Sequence, residues 1–177
     1  MEEEQDNVQC IVRKVPGLLW NVLHIKPRRE KKVSEQCKLY NLPCFLPLRE
    51  ETKIYQRRRV TVQKPVFPGY LFAAFDEPGR LKLLQTNNLV RILAPADEDQ
   101  FVCELSQVEA ALSVDPTLGA TASLRKGRFI RITGGPFRGV EGVIDRLKSE
   151  TTVCLNVDMI GQAIRVEVDK GFIELLD

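Results

Sequence analysis

The amino-acid sequence predicts an α+β protein in two parts, an N-terminal antiparallel sheet flanked by helices and a small C-terminal β-barrel of five strands. Apolar, β-branched runs alternate with amphipathic helical patterns up to about residue 112, which is typical of helices packed on a sheet. After that, the helical spacing disappears and short alternating runs with glycine-rich turns follow. We therefore divide the chain into a tail (1–17), an N-terminal domain (18–113), a linker (114–123) and a C-terminal domain (124–177).

The composition is that of a globular chain whose charge is unevenly distributed. Of the 177 residues, 44% are hydrophobic and 28% are charged, which is enough for a core. Residues 18–64 carry 12 Lys and Arg against 4 Asp and Glu, whereas residues 124–177 carry 9 against 8. The basic N-terminal half fits a polyanion or an acidic partner, and it fits a solvated surface equally well.

Cysteine usage and hydropathy indicate an intracellular protein. No C-x-x-C pair occurs, the cysteine count is odd, and each cysteine is interpreted as a small buried hydrophobe with a reduced thiol. No apolar run approaches the roughly 18 residues that span a bilayer, and the acidic N-terminus is unlike a signal peptide. We expect a cytoplasmic monomer without membrane contact. The cysteines are Cys10, Cys37, Cys44, Cys103 and Cys154.

The first elements of the N-terminal domain carry its basic residues. An apolar run over 18–25 predicts a strand, and apolar residues at helical spacing over 28–40 predict a basic amphipathic helix. Residues 44–48 predict a short strand that Pro47 interrupts. Residues 50–64 predict a charged hairpin, whose tip carries Gln56-Arg57-Arg58-Arg59.

A turn rich in Pro and Gly then leads into an apolar strand over 70–75. Alternation places Tyr70, Phe72 and Ala74 on one face of that strand and its other residues on the opposite face. One face must pack on helices, and the other is either an apolar docking patch or a second buried layer. A helix over about 78–85, a strand over 89–93 and a third helix capped by Asp97 or Asp99 follow.

The C-terminal region predicts five strands with bends at its glycines. Its principal turn is Gly134-Gly135-Pro136-Phe137-Arg138-Gly139, which displays Phe137. These glycines and the β-branched residues oppose helix, so the region is predicted to rest as a barrel.

No constellation of residues indicates catalysis. His24 is the one histidine in the sequence, and no Cys, Asp or Glu lies at metal-ligand spacing from it, so a structural role is favoured. G-x-S-x-G, H-E-x-x-H and P-loop motifs do not occur. We expect no enzyme activity, no catalytic residue, no cofactor and no metal.

Two sets of motifs together resemble the NusG family of transcription factors. The first set is similar to the family's N-terminal (NGN) domain: Trp20-Asn21-Val22-Leu23-His24, Glu30-Lys31-Lys32-Val33 and Phe67-Pro68-Gly69-Tyr70-Leu71-Phe72. The second set is similar to its SH3-like KOW domain: Gly127-Arg128-Phe129-Ile130-Arg131-Ile132, Gly134 to Gly139 and Gly142-Val143-Ile144.

The resemblance implies a transcription elongation factor with two binding sites. Its N-terminal domain docks on the clamp helices of RNA polymerase, so Trp20, Phe67 and Tyr70 would belong to the docking patch or support it. The resemblance places the basic residues Arg28, Arg29, Arg57, Arg58 and Arg59 near upstream DNA or the polymerase. It gives Phe137 and Arg138 of the KOW turn a partner such as ribosomal protein S10 or the termination factor Rho.

Residues 40–47 resemble specialised, RfaH-like paralogues more than the general factor. Such paralogues antagonise termination on selected operons, often with contact to the non-template DNA strand, and some refold the C-terminal domain as a helical hairpin.

A second hypothesis for the function remains open. KOW modules also occur in ribosomal proteins, so the alternative is a ribosome- or RNA-binding KOW protein that acts in translation. The near-neutral C-terminal region speaks against non-specific phosphate binding by that module.

Overall fold

The computed structural model describes residues 12–124, 127–144 and 152–176. The N-terminal elements follow the predicted order closely, and Tyr70–Phe75 and Leu89–Leu93 match their predicted bounds. These elements are β1 (Leu19–Ile25), α1 (Glu30–Leu39), β2 (Cys44–Phe45), β3 (Leu48–Tyr55), β4 (Arg58–Pro65), β5 (Tyr70–Phe75), α2 (Glu77–Gln85), β6 (Leu89–Leu93) and α3 (Glu98–Val114).

The N-terminal sheet is antiparallel, as predicted, and has the strand order β2-β5-β1-β6. The predicted alternation of β5 is also observed. Phe72 and Ala74 lie in one core with Trp20 and with Phe101 of α3. Leu71, Ala73 and Phe75 lie in a second core with residues of α1 and α2. Both faces are therefore covered, and the second buried layer, rather than a wide apolar patch, is what this strand supplies.

Hydrogen bonds at the helix N-termini define where α2 and α3 begin. Asp97 accepts a hydrogen bond from the backbone N–H of Gln100 at 3.1 Å, which settles the choice between Asp97 and Asp99. Asp76 does the same for Gly79 at 2.9 Å, so α2 begins at Glu77, just before Pro78. Helix α1 begins two residues later than predicted, because Arg28 has a φ of 63°, which a helix does not accommodate.

The predicted hairpin is a two-stranded ribbon of β3 and β4. Leu48 is paired with Pro65 at its base, and Tyr55 is paired with Arg58 beside its turn. Its turn is narrower than the predicted tip. Gln56 and Arg57 have φ values of 47° and 66°, as a type I′ turn requires, whereas Arg58 and Arg59 already belong to β4.

The C-terminal region forms a sheet of six strands, which are β7 (Ala120–Ala122), β8 (Arg128–Ile132), β9 (Glu141–Ile144), β10 (Thr152–Val157), β11 (Gln162–Glu167) and β12 (Ile173–Leu175). Their order in the sheet is β12-β8-β9-β10-β11-β7. Pairing among the described residues does not join β7 to β12, so the closed, five-stranded barrel of the sequence analysis is not confirmed. Two 3₁₀ turns, Asp158–Ile160 and Lys170–Phe172, flank β11.

The segment 114–123, which the sequence analysis describes as a linker, contains regular structure. Its last residues form β7, which pairs with β11. Earlier, the carbonyl of Pro116 accepts a hydrogen bond from the backbone N–H of Glu50 at 2.7 Å, and Leu118 packs on the core. A three-residue strand is too short to produce a detectable alternation, so the sequence pattern did not reveal it.

The predicted tail is also partly packed. Val12 is buried beside α3, and residues 13–17 lead from it into β1. None of the helices in the described part of the chain combines the length and the apolarity that crossing a bilayer requires.

Candidate functional site

The aromatic turn Phe67-Pro68-Gly69-Tyr70 is fixed by hydrogen bonds on both sides. Gly69 has a φ of 84°, and its carbonyl accepts from the N–H of Ile25 at 2.8 Å, at the end of β1. Its own N–H donates to Oε1 of Glu30 at 2.9 Å. Glu30 is itself buried in the first turn of α1, so one carboxylate joins the helix to the turn. The bond is charge-assisted and is therefore among the stronger ones.

The three predicted polymerase-binding residues differ in exposure. Trp20 and Phe67 are 0% and 1% exposed, respectively, and belong to the core under the sheet. Tyr70 is half-buried and stacks on His24, with ring centroids 5.2 Å apart. Of the three side chains, that of Tyr70 is partly accessible at the surface, whereas those of Trp20 and Phe67 are not.

Trp20 is held at both its backbone and its ring. Its N–H donates to Oε1 of Glu98 in α3 at 2.9 Å, and its indole Nε1 donates to the carbonyl of Arg13 at 2.7 Å. The ring of Phe67 packs edge-on against that of Phe72, with ring centroids 6.3 Å apart. These contacts give the buried aromatic residues fixed orientations beneath the strand that carries Tyr70.

The candidate basic residues are all exposed and lie at two places. Arg28 and Arg29 precede α1, while Arg57, Arg58 and Arg59 lie at the end of the β3–β4 ribbon. A hydrogen bond of 2.9 Å from Nζ of Lys31 to the carbonyl of Gln63 ties α1 to the base of that ribbon. Because strands rise about 3.4 Å per residue, the tip extends about 17 Å beyond this contact. The structure therefore does not merge the two groups into one compact patch.

One face of the ribbon carries a cluster of charges around Glu51. Nζ of Lys64 lies 2.8 Å from Glu51, and a guanidinium nitrogen of Arg49 lies 3.2 Å from it. The hydrogen bond from Lys64 is the main reason that the pKa of Glu51 is below its usual value. Nearer the tip, Tyr55 is 72% exposed and lies opposite Arg58. An exposed tyrosine beside arginines suits nucleic acid, and the sequence analysis did not single it out.

The C-terminal turn has the shape that the sequence indicates. Gly135 and Gly139 have φ values of 74° and 89°, and the N–H of Gly139 donates to the carbonyl of Ile132 at 2.7 Å. Phe137 is half-buried against the core, whereas Arg138 is exposed. The turn therefore presents the guanidinium of Arg138 fully and the ring of Phe137 in part.

The C-terminal sheet packs on α3, which the sequence did not predict. Backbone N–H groups of Glu141 and Asp158 donate to side chains of α3, Gln107 at 2.9 Å and Glu104 at 3.1 Å. A cleft of about 380 Å³ lies beside these contacts. Burial raises the pKa of Glu104 to about 7, and the nearby carboxylate of Asp158 adds to the rise.

His24 is partly buried in β1. Its Nδ1 is buried and has no hydrogen-bond partner among the described residues, and its ring stacks on Tyr70. Within the described ranges, no three His, Cys, Asp or Glu side chains are grouped as metal ligands.

A family model and a curated relative both point to one family. Residues 18–112 match the family model described as "Transcription termination factor nusG". The chain is 23% identical over 180 residues to the transcription termination/antitermination protein NusG of Deinococcus radiodurans, which covers 85% of this chain and 95% of that protein. A crystal structure of the MjSpt4:Spt5 complex in conformation B matches 90% of this chain and 97% of its own at 14% identity, with a TM-score of 0.29.

Proposed function

The chain belongs to the NusG family of transcription termination and antitermination factors, and from that premise we propose that it is an elongation factor that binds RNA polymerase through its N-terminal domain. In this proposal it promotes processive elongation or antitermination and recruits a second factor through its C-terminal domain. The observation that carries the proposal is the family match over more than half of the chain, because the matched range contains the aromatic turn and both groups of arginines.

The proposed contact with the polymerase clamp centres on Tyr70. Its ring is accessible and stacked on His24. Trp20 and Phe67 support the strand from the buried side. Aromatic side chains on a rigid support contribute most to interfaces, because little rotamer entropy is lost when they bind.

The experiment is to replace Tyr70 by alanine and to measure capture of the host core polymerase by the purified full chain. Tyr40→Ala is the matched control, because Tyr40 is also a half-buried tyrosine but packs with the core on the other face of the sheet. We expect Tyr70→Ala to weaken capture at least tenfold, about 1.4 kcal/mol, as for a central aromatic contact. Equal capture by wild type and Tyr70→Ala would reject Tyr70 as the contact.

The proposed contact of the ribbon is with nucleic acid near the polymerase, including the non-template strand. Arg57, Arg58 and Arg59 suit phosphate because a guanidinium binds it bidentately, and the same proposal assigns Arg28 and Arg29 to the DNA side of the domain. The test is the salt dependence of binding to an elongation complex. Removal of one phosphate contact to single-stranded DNA lowers the slope of log K against log salt by about 0.7.

In that test, Arg58→Gln is compared with Arg80→Gln, since Arg80 is also exposed but forms an ion pair with Glu77 at 3.1 Å. A lower slope for Arg58→Gln alone supports the assignment. Identical slopes for both variants would place the phosphate contacts elsewhere.

The proposed second partner binds at the C-terminal turn through Phe137 and Arg138, with ribosomal protein S10 and Rho as candidates. The exposed guanidinium beside a half-buried ring supports it, because Arg and aromatic residues are enriched at the centres of interfaces. Arg138→Glu is expected to abolish binding to whichever candidate the wild type binds. Arg165→Glu, at an exposed position of β11, is the control. Binding to neither candidate would leave a different partner for this turn.

The remaining parts of the proposal concern organisation. We propose that the six-stranded sheet curls into an SH3-like KOW barrel and that the chain acts as a cytoplasmic monomer. The division into units of 18–113 and 124–177 joined by 114–123 is supported by their separate sheets, although β7 adds residues 120–122 to the second sheet. Transcription factors of this family are not enzymes, so no reaction is assigned.

A further inference from the structure

The end of the β3–β4 ribbon carries large side chains that the fold leaves in solvent. Tyr55 is 72% exposed, Ile54 is 75% exposed and Val60 is 45% exposed. Among the described residues, the ribbon pairs with no strand outside itself. These neighbouring side chains contribute little to the folded core, and together they form a surface that another molecule can contact.

The register of the ribbon places Tyr55 among defined neighbours. Tyr55 lies directly opposite Arg58, and Lys53 lies directly opposite Val60. Residues that are directly opposed, and residues two positions apart along a strand, lie on the same face of a ribbon. Four side chains therefore share one face at the end of the ribbon, which we call the Tyr55 face: Lys53, Tyr55, Arg58 and Val60.

The charge at the tip is positive and has no internal counter-charge. From Lys53 to Arg59 the chain carries four cations and no carboxylate. Within the described part of the chain, no ion pair involves Arg57, Arg58 or Arg59. A partner with repeated negative charge therefore fits this surface better than an apolar protein surface does.

The base of the ribbon is fixed to the rest of the domain. The N–H of Val66 donates to the carbonyl of Pro47 at 2.8 Å, and the N–H of Glu50 donates to the carbonyl of Pro116 at 2.7 Å. The ring of Tyr55 is therefore presented from an anchored support. A rigid aromatic side chain on such a support loses little entropy when it binds.

We propose that Tyr55 stacks on an unpaired base of single-stranded nucleic acid while the arginines at the tip bind its phosphates. This inference rests on the proposed contact of the ribbon with nucleic acid, and it names the form of nucleic acid and the residue that recognises it. A tyrosine ring presents a flat apolar face, and stacking on such a face tolerates any base.

The Tyr55 face distinguishes a single strand from a duplex. In a duplex, neighbouring bases cover each other's faces, and only the base edges reach the grooves. Tyr55 can therefore stack on an unpaired base only, whereas guanidinium groups bind the phosphates of either form. Val60 extends the apolar surface beside the ring, because diagonal neighbours on paired strands lie about 7–8 Å apart. The ring supplies the preference for single strands, and the arginines supply affinity for both forms.

The first test measures binding of the purified full chain, without polymerase, to a fluorescein-labelled oligothymidine and to its duplex with oligodeoxyadenosine. We expect Tyr55→Leu to weaken binding to oligothymidine at least about fivefold, as for the loss of one stacked base. Its salt dependence and its binding to the duplex should equal those of wild type, because no phosphate contact is lost. Tyr55→Phe keeps the ring and should bind oligothymidine as wild type does.

Ile54→Ala is the matched control for these variants. Ile54 is equally exposed and adjacent in sequence, but it lies opposite Arg59 on the other face of the ribbon. We expect this variant to bind both oligonucleotides as tightly as wild type does. A loss of affinity in Tyr55→Leu alone therefore reports on the Tyr55 face rather than on the stability of the ribbon.

The second test locates the contact by photo-cross-linking to an oligothymidine that contains 5-iodouracil. Trypsin cleaves after Lys53 and Arg57, so Tyr55 lies in the peptide 54–57, separate from Tyr40 and Tyr70. We expect the cross-linked base on Tyr55 in the native full chain.

The proposal is overturned if Tyr55→Leu binds oligothymidine as tightly as wild type, if it loses as much affinity for the duplex, or if the cross-link lies outside residues 54–57. In each case the proposed phosphate contacts stand as long as Arg58→Gln still lowers the salt slope by about 0.7. Absence of oligothymidine binding by wild type also overturns the proposal and favours a protein partner for the tip.

Discussion

Replacing Glu30 by alanine tests how the aromatic turn is held in place. Oε1 of Glu30 accepts the N–H of Gly69 at 2.9 Å, and the Glu30 side chain is buried, so water cannot replace it easily. An unsatisfied buried donor costs about 1–3 kcal/mol, whereas loss of a negative charge near a helix N-terminus costs about 0.3–1 kcal/mol. The hydrogen bond therefore contributes more than the charge does, and we expect Glu30→Ala to lower the free energy of unfolding by about 2 kcal/mol.

Two further variants separate these contributions. Glu30→Gln keeps an acceptor oxygen but removes the charge, so its loss should stay below about 1 kcal/mol. Glu35→Ala removes an exposed glutamate of the same helix and should stay within about 0.5 kcal/mol of wild type.

Urea denaturation followed by circular dichroism measures all three variants. In a thermal melt of a chain of this size, a loss of about 2 kcal/mol corresponds to a fall in Tm of about 4–8 °C. If Glu30→Ala and Glu35→Ala unfold at the same urea concentration, the Glu30–Gly69 bond does not stabilise the turn and the reasoning fails.

Three other predictions concern the contact with α3, the C-terminal sheet and a helix cap. The pKa of Glu104 is raised to about 7, so the form that packs best is protonated; this stabilisation is fully present below about pH 4.5 and is lost as pH rises through about 7. The NMR shift of the Asp158 amide should follow that midpoint, and Glu104→Gln should abolish the titration; a wild-type midpoint below about pH 5 would contradict it. Gly142→Ala would put a methyl group 2.6 Å from Val153 and should lower the free energy of unfolding in urea by about 1–3 kcal/mol. Gly171→Ala is the control and should have little effect, because the nearest atom to its methyl group would be 3.6 Å away. Equal losses in the two variants would contradict this prediction. Asp97→Ala should destabilise α3 by about 1 kcal/mol in thermal unfolding, while Asp97→Asn keeps the capping oxygen; similar losses in both variants would count against the cap.

Short-range patterns predicted most of the N-terminal fold. The apolar run predicted the bounds of β5 correctly, because a strand in a two-sided core needs apolar residues at every position. The alternation of side chains along a strand then assigned these residues to its two faces correctly. The acidic caps predicted where α3 begins, because Asp97 satisfies an exposed backbone N–H of the first turn.

Contacts between distant elements could not be predicted in the same way. The bond from Glu30 to Gly69 joins residues 39 positions apart, and its partner is a backbone N–H that has no sequence signature. The packing of the C-terminal sheet on α3 depends on polar side chains, Glu104 and Gln107, that are also typical of a solvated helix face.

The central claim, that the N-terminal domain binds the polymerase at Tyr70, is tested most directly by site-specific photo-cross-linking. A photoreactive phenylalanine analogue replaces Tyr70 in the full chain, and Tyr40 in a matched control, before each is mixed with the host elongation complex. The proposed function predicts cross-links from position 70 to the clamp helices of the polymerase and none from position 40. Absence of polymerase cross-links at position 70, or equal yields at both positions, would contradict it.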